Sequence, residues 1–367
     1  MDNLAELWVT VMESEVGLRV SIAGVVIGAL LGALMHRTNF CTMGALSDIN
    51  AFGDWHRFRA WILAMAVAIT GAQGMQYFGF LDLKDSIYLG ASFNWLSFIV
   101  GGVMFGIGMV FASGCGARNL IRVGGGDLKG LVVVLVVGFS AYMTLRGIIA
   151  PARVWLNGLA SVDMGSLSLP DTGLSSIVAK LSGLSATTSI LVASAGTVLL
   201  MLVYCFMDRS FLKSARNVFA GLGIGLLVAA AWWATGVLGA DEFEPVPVMS
   251  LTFIAPTGQT MQFLMTYTGA TINFGIATVF GMLLGSFVSA LLAGQFKFNG
   301  FADRNDLVRH LMGAVLMGVG GVTALGCTVG QGMSGISTLA LGSVLALLAI
   351  IAGAFAGFKA MERGFLL

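Results

Sequence analysis

Apolar runs long enough to cross a lipid bilayer recur from one end of this chain to the other. A membrane-spanning helix needs roughly 20 mostly apolar residues. Because 57% of the 367 residues are hydrophobic, 10% are charged and the mean hydropathy is +0.92, the apolar surface exceeds what the interior of a water-soluble fold holds. The chain is therefore predicted to be an all-α polytopic membrane protein, in contact with the lipid bilayer and without a sizeable soluble domain.

About nine spans are predicted, so the two termini should lie on opposite sides of the membrane. The spans lie at about 18–35, 60–79, 94–113, 130–150, 185–206, 217–238, 270–294, 311–326 and 338–358. Arginine and lysine concentrate after the first, third, fifth and seventh spans and near the C-terminus. Since basic connections stay in the cytoplasm, we expect a cytoplasmic C-terminus and an N-terminus on the other side.

The charge of the chain restricts its partners. A net charge of +1 argues against nucleic acid or a broad electrostatic docking surface. The N-terminal segment carries Asp2, Glu6, Glu13 and Glu15 and no basic n-region. It is predicted to be an extramembrane tail or surface helix before a retained span, and not a cleaved signal peptide.

Two stretches of the chain match at a constant offset of 212 residues. They are GGVMFGIGMVFASGCGARNL (101–120) and GAVLMGVGGVTALGCTVGQG (313–332), which share glycines and the pair Gly-Cys. A weaker match pairs Gly24 with Gly221 and Gly28 with Gly225. We interpret the match as an internal duplication, and a duplication with no role in transport is the alternative.

The predicted directions of the spans make the two copies inverted. Spans one to four (1–150) and spans six to nine (211–367) are predicted to be inverted-topology repeats, and 151–210 holds an outer loop and the connecting fifth span. Inverted repeats are typical of transporters, with a substrate site near the midplane where broken helices meet. The loop 151–183, of mixed charge, has no predicted role.

Three of the four cysteines end an apolar span in a glycine-containing motif. The motifs are RTNFCTMGALSDI around Cys41, ASGCGARNLIRVGGGD around Cys115 and ALGCTVGQGMSGIS around Cys327. Each is followed by a segment that predicts a short broken or re-entrant helix, which is tolerated at membrane depth only inside protein or along a polar cavity. Helix N-termini and thiols suit an anion, and flanking glycines permit close approach and positive φ. A midplane anion site is therefore predicted, whereas Cys205 is interpreted as packing and no disulfide framework is expected.

The motifs NFCTMG (39–44), GCGARNL (114–120) and GCTVGQG (326–332) resemble those of the YeeE/YedE family of bacterial inner-membrane sulfur-transport proteins. The resemblance covers essentially the whole chain, and the better-understood members take up thiosulfate. It implies that Cys41, Cys115 and Cys327 line a central narrow passage and relay thiosulfate by hydrogen bonds, with Cys115 the central one. It also implies a bacterial inner-membrane location, with the N-terminus periplasmic, and a candidate partner, a small cytosolic sulfurtransferase of the TusA type.

Polar and small residues beside the cysteines complete the predicted site. Asn119 and Gln331 occupy equivalent repeat positions, where each either donates amide hydrogen bonds to the anion or caps a broken helix. Arg118 either neutralises the anion or is an ordinary basic residue of the cytoplasmic side, and we favour the latter. The predicted substrate-binding and relay residues are Cys41, Cys115, Cys327, Gly114, Gly116, Gly326, Thr328, Asn119 and Gln331.

Other functions stay open at this point. Another sulfur or selenium species is the nearest alternative to thiosulfate. A soft-metal permease would place paired Met or Cys ligands at the breaks, and no such pair occurs in the three motifs. A membrane persulfide-transfer enzyme would need a base beside its cysteine, and the spans hold no His or carboxylate near the motifs. We therefore expect a transporter that is not an enzyme and binds no metal or cofactor.

Overall fold

The computed structural model describes residues 15–241 and 245–364, so most of the predicted N-terminal tail lies outside the described residues. Within these ranges the chain is mainly helical, and the strands found there form one short pair, β1 (Ser92–Phe93) and β2 (Val162–Asp163). The helices are α1 (Val16–Thr38), α2 (Thr42–Phe52), α3 (His56–Tyr77), α4 (Trp95–Phe111), α5 (Gly116–Gly124), α6 (Leu128–Arg146), α7 (Ala150–Leu159), α8 (Leu174–Ser182), α9 (Ala186–Phe206), α10 (Arg209–Lys213), α11 (Ala215–Gly236), α12 (Ile254–Met265), α13 (Phe274–Leu292), α14 (Arg304–Thr323) and α15 (Leu341–Glu362), with a π-helical turn (Gly330–Gly335) between the last two.

Eight segments in the described ranges are long and apolar enough to cross a membrane. They are α1 with α2, α3, α4 with α5, α6, α9, α11, α13 and α15. The predicted eighth span, 311–326, falls on α14, which does not meet that standard because its first turns carry Arg304, Asp306, Arg309 and His310. Every predicted span overlaps one long helix, and the prediction of an all-α polytopic membrane protein is confirmed.

Helix α4 packs against both α14 and α15, and glycines bring the first pair into backbone contact. A methyl group placed on Gly108 would lie 2.6 Å from the Gly313 carbonyl oxygen, and one on Gly313 would lie 2.6 Å from the Gly108 carbonyl oxygen. Gly101 and Gly320 face each other in the same way. The offset of 212 matches Gly101 with Gly313 and Gly108 with Gly320, so the contacts are reciprocal. Two antiparallel helices related by a twofold axis produce this pattern.

The weaker glycine match corresponds to equivalent contacts elsewhere. Gly24 of α1 lies against the Phe274 carbonyl oxygen of α13, and its match Gly221 of α11 lies against the Ala60 carbonyl oxygen of α3. Methyl groups at the two glycines would lie 3.1 Å and 2.8 Å from these oxygens. Hence α1 packs on α13 much as α11 packs on α3, which supports the proposal of two structural repeats.

An element that the apolar runs do not predict follows α11. Residues 248–253 run through the interior without regular secondary structure, and Ser250, Leu251 and Phe253 are at most 1% exposed. The Ser250 hydroxyl donates to the Val228 carbonyl oxygen at 2.9 Å, and the Leu251 carbonyl oxygen accepts from the Ser334 hydroxyl at 2.7 Å. Such partners are what non-helical backbone needs at membrane depth. The order α11, buried segment, α12, α13 parallels the order α1, break, α2, α3.

The loop 151–183 is ordered and lies against the second half of the chain. It contains most of α7 together with β2 and α8, and β2 pairs antiparallel with β1. The Leu174 N–H donates to the Leu339 carbonyl oxygen at 2.9 Å, and the Leu341 N–H donates to the Thr172 carbonyl oxygen at 3.0 Å. The loop therefore covers the chain that leads from the π-helical turn into α15.

Candidate functional site

The three cysteine motifs break their helices with the same backbone geometry. Asn39, Ser113 and Leu325 have left-handed φ angles of 54°, 54° and 59°, and each stands two residues before a cysteine of the predicted site. Left-handed backbone ends a helix, and non-glycine residues, above all leucine, rarely adopt it. Each such residue costs on the order of 1–3 kcal/mol, so the packing around the breaks holds the backbone in place.

The breaks after α4 and α14 also share their hydrogen bonds. The Gly114 N–H donates to the Met109 carbonyl oxygen at 2.9 Å, and the Gly326 N–H donates to the Gly321 carbonyl oxygen at 2.7 Å. These are the long bonds of a Schellman C-cap, in which glycine usually holds the left-handed position. Here serine and leucine hold it, and glycine follows them.

The positive φ that glycine permits is not used at Gly114, Gly116 and Gly326, none of which has a left-handed backbone. Their small size has a different use, because neighbouring groups occupy the space of a side chain. A methyl group on Gly116 would lie 2.7 Å from Ile254 Cδ1, and one on Gly326 would lie 3.1 Å from the Gln331 backbone nitrogen. These glycines therefore allow neighbouring atoms to approach the backbone closely, which is the other property expected of them.

Cys41 and Cys115 stand at equivalent places, each as the N-cap residue of a short helix. No serine, threonine or aspartate side chain caps α2 or α5, although such residues are the usual caps. Instead the backbone N–H groups of Met43 and Gly44 face the Cys41 sulfur, and the N–H of Arg118 faces the Cys115 sulfur. Two helix N-termini, with their positive dipole ends, thus open toward thiols.

The structure brings the cysteine breaks of the two halves together at Cys115. The Cys41 and Cys115 thiols lie within hydrogen-bonding reach of each other, and the Thr328 hydroxyl lies beside the Cys115 thiol. Thr328 is fully buried, and its hydroxyl makes no hydrogen bond of normal geometry to any described residue. Cys327, the residue before it, is also fully buried, and its sulfur accepts a hydrogen bond from the Gly330 N–H at 3.4 Å.

All four cysteines are free thiols, and Cys205 stands apart from the breaks. It is buried in α9, and its thiol donates to the Arg59 carbonyl oxygen at 3.4 Å. This environment agrees with its interpretation as a packing residue. Among residues 15–241 and 245–364, no three His, Cys, Asp or Glu side chains are close enough together to hold a metal ion.

Asn119 and Gln331 hold the two matching breaks in shape. The Asn119 amide nitrogen donates to the carbonyl oxygens of Gly114 (2.9 Å) and Cys115 (3.1 Å), and the Gln331 amide nitrogen donates to the carbonyl oxygen of Ala324. Both residues are buried. The sequence leaves two roles open for these amides, donation to the anion and capping of a broken helix. The structure provides partners for capping.

Arg118 differs from the other basic residues near the breaks. Its guanidinium donates to the Asn39 side-chain oxygen at 3.3 Å, and it has no carboxylate partner in the part of the chain that the structure describes. By contrast, Arg57 pairs with Asp48 and Arg122 with Asp127. A cation in the first turn of α5 also opposes the helix dipole. The positive charge beside Cys41 and Cys115 is thus not neutralised by an acidic side chain.

Aromatic residues from outside the three cysteine motifs form the wall beside Cys327. The Trp61 ring of α3 lies against Gly332 of the π-helical turn, and the Tyr88 hydroxyl lies near Gly330. Trp232 packs edge-on against Tyr88 and donates its indole N–H to the Ser337 hydroxyl at 2.8 Å. Each comes from a segment far from the motifs in sequence, so no local pattern points to them.

The position that corresponds to Cys41 in the second half is also clear only from the structure. Extending the weaker match of Gly24 with Gly221 along the sequence predicts WWATGVLGADEF at that position, but the counterpart of α2 by element order is α12, which begins at Ile254. Its N-cap residue is Phe253, and the Ile254 side chain packs beside Gly116 and Gly321. The second half therefore has the aromatic Phe253 where the first half has the Cys41 thiol, and the aliphatic Ile254 follows it.

Comparison with known proteins identifies a transport family. Residues 37–356, which include all three cysteine motifs, match the family described as sulphur transport. The thiosulfate transporter TsuA of Escherichia coli (strain K12) is 28% identical over 321 residues, which cover 85% of this chain and 86% of that protein. The thiosulfate transporter TsuA of Spirochaeta thermophila is 26% identical over 337 residues, covering 90% and 96%. Both relatives are transporters by name, in agreement with the expectation that this protein is not an enzyme. This multi-pass membrane protein belongs to the sulphur transport family.

Proposed function

We propose that this protein takes up thiosulfate across the bacterial inner membrane through a passage lined by thiols. Two relatives are named thiosulfate transporters. The observation that carries the proposal is the convergence of Cys41, Cys115 and Thr328 from three separate helix breaks at one buried place. Broken helices that meet inside the membrane are where transporters bind their substrates.

The chemistry of the site fits a small anion with both soft and hard atoms. Thiosulfate is a dianion with one polarisable sulfur and three oxygens. In the proposed relay the thiols of Cys41, Cys115 and Cys327 donate hydrogen bonds to the anion in turn, and the backbone N–H groups at the starts of α2 and α5 attract its charge. Sulfate lacks the soft sulfur and gains less from thiols.

Arg118 supplies the counter-charge in this proposal. We infer that its guanidinium binds the anion on the cytoplasmic side of Cys115, beside Cys41, because no carboxylate neutralises it and because it donates to Asn39, two residues before Cys41. Arginine suits this role, since its charge is permanent and its donors match oxyanions. Asn119 and Gln331 contribute by holding the break carbonyls, and Gly114, Gly116 and Gly326 by leaving room.

The positions of the cysteines relative to the two sides of the membrane indicate a direction of transport. Cys41, Cys115 and Arg118 lie at breaks followed by basic connections, which the positive-inside rule assigns to the cytoplasm. Cys327 lies just before the π-helical turn, on the side of the molecule where Tyr88 and the loop 151–183 contact that turn and the chain after it. In the proposal thiosulfate enters from the periplasm past Cys327, and it leaves past Cys41 toward a cytosolic sulfurtransferase of the TusA type. The two inverted repeats, 1–150 and 211–367, with 151–210 between them, form the scaffold.

Uptake of radiolabelled thiosulfate tests the proposal, in cells that lack their own thiosulfate uptake and at matched expression. Cys115→Ala should reduce the initial rate by about tenfold or more, the effect of losing a hydrogen-bonding group worth at least about 1.4 kcal/mol. Cys205→Ala is the matched control, because Cys205 is a buried thiol outside the breaks.

Competition by unlabelled anions identifies the substrate class. Thiosulfate should displace the label at far lower concentration than sulfate or selenite. If the wild-type protein shows no thiosulfate uptake in cells or in proteoliposomes, the substrate assignment is wrong. If uptake is robust and survives Cys115→Ala, the thiol relay is wrong.

A further inference from the structure

A groove of about 650 Å³ lies between α1, α11 and α13, and its one end adjoins the start of the Cys41 motif at Arg37 and Thr38. Its walls are mostly aliphatic, and small residues form part of its floor because α1 and α13 are in backbone contact at Ala29 and Gly285. Its apolar lining includes Ala29, Leu30, Ala33, Phe219 and Leu284.

Two arginines stand at one end of this groove. Arg37 lies in the last turn of α1 and Arg216 in the first turn of α11, and a guanidinium nitrogen of Arg216 donates to the Arg37 carbonyl oxygen at 3.1 Å. Both side chains are exposed. Neither has a carboxylate partner among the described residues, although the nearby Arg57 and Arg59 are paired with Asp48 and Asp208.

The groove runs from this charged end into the apolar part of the helices. Ala29 precedes Arg37 by eight positions in α1, which corresponds to about 12 Å along a helix. Leu30, Phe219 and Leu284, which face the same space, are exposed. A positive surface end and an apolar trough that leads into the membrane match the headgroup and the acyl chain of one phospholipid.

We propose that this groove is a binding site for an anionic phospholipid. Arg37 and Arg216 bind the headgroup phosphate, for which arginine is well suited, and an acyl chain lies along Ala29, Ala33 and Leu284. Basic pockets between transmembrane helices on the cytoplasmic side are known to take anionic headgroups, and the positive-inside rule assigns this end to that side. The site does not depend on the transported substrate.

Native mass spectrometry of the detergent-purified full-length protein tests the proposal with phosphatidylglycerol and phosphatidylcholine of the same acyl chains. The wild-type protein should retain phosphatidylglycerol about tenfold better, from the attraction of two basic residues to one anionic headgroup. The double variant Arg37→Gln/Arg216→Gln should lose this preference. The matched control Lys359→Gln/Arg363→Gln removes two exposed basic residues at the end of α15, and it should keep the preference.

Two further measurements separate this site from its alternatives. Ala33→Phe, which fills the groove and leaves both arginines, should also reduce retention of phosphatidylglycerol, with folding checked by gel filtration. Soluble glycerol 3-phosphate at the same concentration should not displace the lipid. The proposal is overturned if wild type does not discriminate between the lipids, if the α15 variant loses the preference equally, or if glycerol 3-phosphate competes. Dimers that close the groove whether or not lipid is present would also overturn it.

Discussion

Replacing Thr328 with valine should increase the stability of the protein and decrease its transport rate. Thr328 is fully buried, and its hydroxyl makes no hydrogen bond of normal geometry within the described chain. Valine has nearly the same shape and no polar group. Because a hydroxyl that serves only the fold would be satisfied by the protein, the opposite signs of the two effects distinguish a substrate contact from a structural residue.

The magnitude follows from the cost of the unpaired group. Burying a polar group without a partner costs about 1–3 kcal/mol, and the weak contact with the Cys115 thiol offsets part of it. We expect Thr328→Val to raise the free energy of unfolding by about 1 kcal/mol. Loss of one hydrogen bond to the passing anion should lower the initial uptake rate about tenfold, which corresponds to about 1.4 kcal/mol.

Thr144→Val provides the matched control. Thr144 is also fully buried, but its hydroxyl donates to the Ser140 carbonyl oxygen at 2.8 Å in α6. Its replacement should lower the free energy of unfolding by about 0.5–1.5 kcal/mol and leave uptake unchanged. Equilibrium unfolding in mixed micelles measures the stabilities, and thiosulfate uptake into proteoliposomes measures transport. A Thr328→Val protein that is less stable than wild type and transports normally would refute the reasoning.

Three further substitutions test the other contacts. Arg118→Gln should raise the KM for thiosulfate about tenfold with little change in maximal rate, and Arg118→Lys should recover part of the affinity. Gly108→Ala should destabilise the protein by about 1–3 kcal/mol, because the methyl group meets the Gly313 carbonyl oxygen. Asn119→Asp should destabilise it by about 3 kcal/mol or more, since a carboxylate would replace the amide donor to two buried carbonyl oxygens.

For each of these predictions, one experimental outcome would contradict the reasoning. Gly196 of α9 has no neighbouring atom within 4 Å of an added methyl group, so Gly196→Ala should be neutral or stabilising; an equal loss in both variants would contradict the packing argument. For Arg118, a fall in maximal rate at unchanged KM would contradict a role in attracting the anion. For Asn119, wild-type stability of the aspartate variant would show that the two hydrogen bonds do not hold the break.

The long helices could be predicted from the sequence because membrane depth imposes a length and an apolar composition on each of them. All nine predicted spans overlap a helix, and even α14, with its charged first turns, was predicted from its apolar second half. The segment 248–253 could not be predicted in this way. It is a largely buried irregular segment whose backbone groups are paired by distant residues such as Ser334, and such pairing leaves no periodic pattern.

The cysteines of the site could be predicted because they share a local motif, whereas their surroundings do not. Each of the three cysteines follows a helix end and has a glycine within three residues, and these signals are read over a few residues. The backbone conformation at the breaks was predicted less well, since the left-handed residues are Ser113 and Leu325 and not the glycines beside them. Tertiary packing imposes this choice, because the glycine positions are needed for close approach.

The two halves share their helix order, but their four breaks do not present the same chemistry. Cys41, Cys115 and Cys327 stand at three of them, whereas the fourth has Phe253 at the place of Cys41, followed by Ile254, whose side chain fills the space beside Gly116. A cysteine in place of Phe253 would make four thiols in two matched pairs, a donor set that suits soft cations. An apolar side chain removes one sulfur and lowers the polarity around the neighbouring donors, which strengthens their hydrogen bonds to an anion. The break that lacks a thiol therefore favours the anion over the metal as the transported species.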